Sequence, residues 1–126
     1  GKTPRSSMPP AILLDRDGRF VSAVGSPGGN AILAYVGKAI VGTVDWKLSM
    51  QQAINLPNLI ARGGSFQGEV DEFPPAILQT LRAKGVEIRS GQGEDSGLHG
   101  VFLRDGRLDG GPDPRREGVF RTLGAN

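Results

Sequence analysis

The apolar residues of this 126-residue chain change their spacing several times, and each change predicts a different element. Two apolar runs, Ala11–Leu14 and Phe20–Val24, flank an Asp17-Gly18 turn signal, which predicts a β-hairpin over residues 11–25. From Asn30 the spacing becomes three to four, which predicts a long helix. Its expected buried face consists of Ile32, Leu33, Val36, Ile40, Val41 and Val44.

A second, shorter helix is predicted by its capping residues. Ser49 and Gln52 have the spacing of a capping box, in which each side chain bonds the backbone N–H of the other. The helix should therefore run from Met50 to about Asn55. Pro57 follows and cannot continue it.

A third helix is bracketed by Pro75 in its first turn and Gly85 after its last. Its apolar stripe consists of Ile77, Leu78 and Leu81. Residues 58–72 show no clear period and are expected to be irregular, apart from a short strand near residues 68–70.

The C-terminal third predicts mostly strands. Val86–Ile88 alternates like an edge strand, and Leu98–Leu103 with Arg107–Leu108 forms a second hairpin around Asp105-Gly106. Residues 110–118 are rich in glycine and proline and are expected to form an irregular tail. The fold class that these elements predict is α+β, with antiparallel hairpins and packed helices.

The amino-acid composition excludes several kinds of functional site but does not by itself indicate a function. A length of 126 residues fits one domain, and the absence of cysteine excludes disulfides, thiolate metal sites and a cysteine nucleophile. The formal charge of +2 comes from scattered basic residues, so no nucleic-acid partner is expected. His99 is the only histidine and is interpreted as a packed or surface residue. No metal and no cofactor is therefore expected.

The glycine-rich turn Gly25-Ser26-Pro27-Gly28-Gly29 separates the first hairpin from the long helix. It places the N–H groups of Gly28 and Gly29 at a helix N-terminus, where negative charge is favoured. Ser6 and Ser7 precede the hairpin, whose two ends meet, so two hydroxyls and two N–H groups can converge on one small anion or carbonyl. Taken alone, the glycines more often serve only to turn the backbone, and a serine pair more often belongs to a solvated loop.

Taken together, these motifs resemble a known family. Ser6-Ser7-Met8, the hairpin, the glycine turn opening a helix, the Pro57 segment and the closing Asp113-Pro114-Arg115-Arg116 look like the C-terminal part of gamma-glutamyltransferase. The resemblance covers nearly the whole chain. It implies part of a four-layer αββα sandwich of the N-terminal nucleophile hydrolase type.

The resemblance also implies an activity and residue roles. Such an enzyme takes the γ-glutamyl group from glutathione or a similar amide and passes it to an amino acid, a peptide or water. Ser6 and Ser7 would bind the α-carboxylate of the donor, and Gly28 and Gly29 would form the oxyanion hole. Self-cleavage would create the N-terminal threonine nucleophile, and the enzyme would be periplasmic or secreted.

The nucleophile itself is not expected in this chain. The threonines stand outside the family's nucleophile context: Thr3, Thr43, Thr80 and Thr122. Residues 1–126 are therefore interpreted as a single C-terminal fragment, inactive alone, whose partners are the large subunit and the start of the small subunit. Two further positions depart from the family pattern, Pro9 where serine is usual and Asn58 where arginine is usual, so an ion pair at Asn58 is in doubt.

Two other hypotheses stay open at this point. In the first, the chain is a degenerate, non-catalytic relative that binds a small anion at the glycine turn. In the second, it is a purely structural half of a larger protein. Reading the residues upstream of Gly1 would separate the first of these from an enzyme.

Overall fold

The computed structural model describes residues 1–2, 7–91 and 93–122. Their elements follow in chain order: β1 Ala11–Leu14, β2 Phe20–Gly25, α1 Ile32–Val44, α2 Met50–Asn55, β3 Leu59–Arg62, β4 Ser65–Gly68, α3 Pro75–Ala83, β5 Ile88–Ser90, β6 His99–Arg104 and β7 Arg107–Pro112. Short 3-10 turns cover Gly29–Ala31 and Val70–Glu72. The mixed α+β class is confirmed.

The four-stranded sheet has the order β1-β2-β6-β7 and is antiparallel throughout. It consists of the two predicted hairpins, which pair with each other along β2 and β6. β7 extends to Pro112, so Gly110 and Gly111 belong to the strand and the prediction of an irregular tail from residue 110 was wrong. A Cβ on Gly111 would stand 2.6 Å from Oε1 of Gln51, so glycine here lets α2 approach the sheet.

The second sheet has the order β3-β4-β5, with β3 antiparallel and β5 parallel to β4. The prediction that residues 58–72 are irregular was therefore wrong, and the strand expected near residues 68–70 lies earlier, at Ser65–Gly68. Gly63 and Gly64 both adopt positive φ angles, 48° and 89°, and form the hairpin between β3 and β4. The Gly63-Gly64 pair is a hairpin signal in the sequence. The flanking strands have only four residues each, which is too short to show an alternation of apolar and polar positions.

Helix α1 packs against the four-stranded sheet. The face that it buries is rotated from the predicted one. Leu33 and Val41 are 63% and 39% exposed. The buried positions are Ile32, Tyr35, Val36, Ala39, Gly42 and Thr43. Thr43 can be buried because its hydroxyl donates to the Ala39 carbonyl at 2.8 Å.

Helix α2 completes the core beside α1. The capping box is confirmed: Ser49 Oγ accepts from Gln52 N at 3.1 Å, and Gln52 Oε1 accepts from Ser49 N at 2.9 Å. Met50 and Ile54 are fully buried. They pack with Val24 of β2 and with Leu98, so the core lies between the two helices and one face of the sheet.

The other face of the four-stranded sheet carries exposed apolar side chains. Ile12, Leu14, Leu103 and Leu108 are 71%, 58%, 38% and 53% exposed. None of the helices in the described ranges packs on this face. Within those same ranges, no helix is long and apolar enough to cross a bilayer.

Candidate functional site

The glycine turn between β2 and α1 has a backbone that favours glycine at two consecutive positions. Gly28 has φ 127° and Gly29 has φ 55°, both in the left-handed region. The helix predicted from Asn30 is preceded by a 3-10 turn, in which the Gly28 carbonyl accepts from Ala31 N at 3.0 Å. Among the described residues, none accepts a hydrogen bond from the N–H of Gly28 or Gly29. Both donors are available to a ligand.

Close packing fixes the turn from behind. A Cβ on Gly28 would stand 2.6 Å from Cε2 of Tyr35, and a Cβ on Gly29 would stand 2.8 Å from Oε1 of Glu94. Tyr35 is buried in α1, and its hydroxyl donates to the Glu94 carbonyl at 2.7 Å. Burial, with smaller contributions from Glu69 and Asp95, raises the pKa of Tyr35 to about 12, so the phenol stays neutral at physiological pH.

The first hairpin brings one of the two predicted serines to the turn. Ser7 Oγ donates to the Gly29 carbonyl at 3.3 Å, although 22 residues separate them in the chain. Ser6 and Thr3 lie outside the described residues. Of the other threonines, Thr43 and Thr80 donate their hydroxyls to carbonyls of their own helices.

A buried polar network centred on Arg115 lies at the C-terminal end of α2. The Arg115 guanidinium donates to both Glu69 oxygens at 2.5 and 2.6 Å and to Asp113 Oδ1 at 3.1 Å. It also donates to the Ile54 and Leu56 carbonyls at the end of α2, at 3.3 and 3.2 Å. The Asp113-Pro114-Arg115 tail is thus fixed to the end of α2 by hydrogen bonds.

The two carboxylates of the network are charged despite their burial. Burial alone would raise the pKa of Glu69, but hydrogen bonds from Arg115 and Asn58 outweigh it and lower the pKa. Burial likewise opposes ionisation of Asp113. Hydrogen bonds from Ser96, the Leu98 N–H and Arg115 lower its pKa below the usual range.

Asn58, for which the sequence resemblance implies arginine, is fully buried in this network. Its backbone N–H and side-chain amide donate to Glu69 at 2.7 and 3.2 Å, and the amide also donates to Ser96 Oγ at 2.9 Å. A neutral amide thus joins Glu69 to Ser96 without an ion pair. Arg115 supplies the positive charge that Glu69 requires.

Lys38 is a member of the network that the sequence did not reveal, because a single lysine in an apolar helix is normally solvated. Its Nζ donates to the Ile54 and Leu56 carbonyls at 3.0 and 2.6 Å and to Asn58 Oδ1 at 2.8 Å. Burial and the Arg115 charge lower the pKa of Lys38 to about 8, against smaller opposing effects of Asp113 and Glu69. Lys38 therefore titrates close to neutrality.

Lys38 should make the stability of the protein rise with pH. Between pH 8 and pH 10 the unfolded chain holds a proton on this lysine that the folded protein has released, so the free energy of unfolding increases. Above pH 10 the raised pKa of Tyr35 acts in the opposite direction. Urea unfolding at about pH 7.5 and about pH 9.5 should show the rise in the parent protein and a flatter profile in Lys38→Met.

The matched control for this titration is Lys84→Met, at the exposed end of α3. This variant should keep the rise with pH, because Lys84 is solvated. Equal profiles for the parent protein and Lys38→Met would contradict the assignment.

His99, the remaining candidate of the sequence, stays outside both groups. His99 lies exposed in β6 with Nδ1 3.1 Å from the Gly97 carbonyl. Glu94 and Asp95 lie in an exposed loop, but their backbone carbonyls accept from Tyr35 and Arg116. The loop is thus tied to the turn on one side and to the tail on the other.

The family model for gamma-glutamyltranspeptidase matches residues 1–123. The glutathione hydrolase proenzyme of Escherichia coli K12 is 33% identical over 115 residues, which is 90% of this chain and 20% of that protein. The acylase ACY 1 proenzyme of Pseudomonas sp. strain SE83 is 32% identical over 120 residues, 94% of this chain and 21% of that protein.

Solved structures show the same architecture. Gamma-glutamyltranspeptidase from Pseudomonas nitroreducens, complexed with L-DON, superposes with a TM-score of 0.81 at 21% identity, covering 98% of this chain and 66% of that one. An acivicin-inhibited gamma-glutamyltranspeptidase gives 0.79 at 25% identity, covering 94% and 65%. The chain spans about one fifth of the length of the curated relatives it matches.

Proposed function

Since this chain belongs to the gamma-glutamyltranspeptidase family, we propose that it is the C-terminal part of an enzyme that cleaves γ-glutamyl amides such as glutathione. The acyl group would pass to an amino acid, a peptide or water. The observation that carries the proposal is the Gly28-Gly29 turn, whose two N–H groups have no acceptor among the described residues and stand beside Ser7.

In this proposal each group has a role. A threonine hydroxyl from outside this chain attacks the γ-carbonyl carbon, and the carbonyl oxygen takes up the electron pair. The N–H groups of Gly28 and Gly29 donate to that oxyanion, which stabilises the tetrahedral intermediate. The C–N bond then breaks, and the amine leaves with the proton that the threonine hydroxyl has given up to its base. Water or an acceptor amine next attacks the acyl-enzyme, and the threonine hydroxyl is released with the proton of the attacking group. Ser6 and Ser7 hold the α-carboxylate of the donor, which keeps the γ-carbonyl at the turn.

The remainder of the enzyme is the principal partner in this proposal. The exposed apolar face of the four-stranded sheet, with Ile12, Leu14, Leu103 and Leu108, offers a surface on which a further layer packs. The large subunit and the start of the small subunit would supply that layer and the nucleophile. The chain alone is then inactive. A periplasmic or secreted location of the enzyme completes the proposal.

Loss of the Ser7 hydroxyl should weaken donor binding. Because a hydrogen bond to a charged group contributes about 1.5–3 kcal/mol, Ser7→Ala in the complete enzyme should raise KM for γ-glutamyl-p-nitroanilide roughly tenfold or more. The kcat should change by less than about threefold, since the carboxylate is bound in both ground and transition states. Release of p-nitroaniline measures both constants.

The exposed Ser65→Ala variant is the control for Ser7, because it removes a hydroxyl from β4. It should leave both constants unchanged. An unchanged KM in Ser7→Ala would remove Ser7 from carboxylate binding.

A second candidate activity is the hydrolysis of other acyl amides. The acylase relative is 32% identical to this chain, almost as much as the glutathione hydrolase relative at 33%. The two activities differ in their need for the donor's α-amino group. Glutaryl-p-nitroanilide lacks that group, so comparison of its kcat/KM with that of γ-glutamyl-p-nitroanilide separates them.

A further inference from the structure

A short stretch of chain, residues 94–98, lies between the glycine turn and the C-terminal tail; we refer to it as the bridging segment. Ser96, Gly97 and Leu98 are buried, and Leu98 belongs to the hydrophobic core. The segment follows β5 and has no regular secondary structure before β6 begins. Its position is therefore set by side-chain and packing contacts on its two sides.

On the side of the glycine turn, the bridging segment is held through Ser26. The Gly97 N–H donates to Ser26 Oγ at 3.1 Å, and the same hydroxyl donates to the Pro27 carbonyl at 2.7 Å. A Cβ on Gly97 would stand 2.7 Å from Cγ of Pro27, so the proline ring packs directly on this glycine. The peptide group between Pro27 and Gly28 is thus held by contacts with residues outside the glycine turn.

On the side of the tail, the bridging segment is held by Asp113 and Arg116. Ser96 Oγ and the Leu98 N–H both donate to Asp113 Oδ2, at 2.6 and 3.0 Å. Arg116 Nη2 donates to the Asp95 carbonyl at 2.9 Å. Asp113 is itself fixed by Arg115, through the backbone N–H and Nη1, both at 3.1 Å.

A turn of two glycines with positive φ needs this support if it is to act as an oxyanion hole. Glycine has more accessible backbone conformations than any other residue, so Gly28 and Gly29 do not fix their own N–H directions. Oxyanion stabilisation depends on donors that are already aimed at the developing charge. The direction of these two N–H groups must therefore be set by the contacts of the neighbouring residues.

We propose that Ser26 and Ser96 are positioning residues of the oxyanion hole, linking it to Asp113 of the tail through the bridging segment. The order of contacts is Asp113, Ser96, Gly97, Ser26 and Pro27. This inference rests on the proposed function, because it acts through the N–H groups of Gly28 and Gly29.

The test uses the complete enzyme with four variants at three serines and γ-glutamyl-p-nitroanilide. Ser26→Ala and Ser96→Ala should lower kcat by about tenfold to a hundredfold with KM within about twofold, because misplaced donors weaken only transition-state binding. Ser26→Thr keeps the Oγ and should recover most of kcat. Ser49→Ala removes the α2 cap, which costs stability at a distance from the bridging segment, and should leave kcat unchanged.

A spectroscopic measurement separates this inference from the proposed function. In enzyme labelled with 15N-glycine, the amide resonances of Gly28 and Gly29 should move in Ser26→Ala and Ser96→Ala but not in Ser49→Ala. That result supports the link whether or not the enzyme turns over γ-glutamyl-p-nitroanilide, whereas absence of turnover by the unmodified enzyme contradicts the proposed function. Unmoved resonances, an unchanged kcat in an active enzyme, or a loss confined to KM would overturn the inference.

Discussion

Gly28→Ala should lower the kcat of the complete enzyme by roughly a hundred- to a thousandfold, the effect of losing one oxyanion donor. The new Cβ would stand 2.6 Å from the Tyr35 ring, and a φ of 127° is strained for alanine. Because Tyr35 is buried, the ring cannot move aside, and the turn must shift instead. The KM should stay within about threefold, since the donor carboxylate is bound elsewhere.

The matched control for Gly28 is Gly106→Ala in the β6–β7 turn. Gly106 also has a positive φ, 75°, but a Cβ there meets nothing within 4 Å. This variant carries the backbone strain without the contact and should keep kcat within about twofold. Similar losses in the two variants would show that strain alone lowers the rate, and would remove Gly28 from the oxyanion hole.

Arg115→Met should cause the largest loss of stability of any single substitution in the network. Removing one partner of a buried ion pair costs about 3–5 kcal/mol, because the opposite charges stay buried without compensation. Here two carboxylates lose a charged partner while their other hydrogen bonds remain: the Asp113 side chain is fully buried and that of Glu69 is 12% exposed. This is a large part of the roughly 5–15 kcal/mol by which a domain is stable. Urea unfolding at neutral pH measures the change.

Arg107→Met is the control for Arg115, since Arg107 is exposed at the start of β7. It should change the free energy of unfolding by less than about 0.5 kcal/mol. Arg115→Lys keeps the charge but loses the paired contact with both Glu69 oxygens, so an intermediate loss is expected. A loss below about 1 kcal/mol in Arg115→Met would show that the network contributes little to stability.

Local signals explain what the sequence could predict. The capping box of Ser49, the turn at Asp105-Gly106 and the proline of α3 each act within a few residues, and each predicted its element correctly. The proximity of Ser7 to the glycine turn followed from the hairpin alone, because a hairpin places its ends together.

Contacts between distant segments explain what the sequence could not predict. The carbonyl that accepts from Tyr35 lies 59 residues further along the chain, and Glu69 and Arg115 are 46 residues apart. The buried face of α1 was misplaced for the same reason. Tyr35 is buried although it is less apolar than Leu33, because its hydroxyl reaches the Glu94 carbonyl. Thr43 is buried because its hydroxyl donates to the Ala39 carbonyl of its own helix.

We propose that this chain supplies the oxyanion hole of a γ-glutamyl-transferring enzyme and that its partner segment supplies the nucleophile. The most direct measurement is p-nitroaniline release from γ-glutamyl-p-nitroanilide by the isolated chain and by the complete enzyme, side by side. We predict release by the complete enzyme and none by the chain. Turnover by the chain alone, or none by a complete enzyme that carries the threonine nucleophile, would contradict the account.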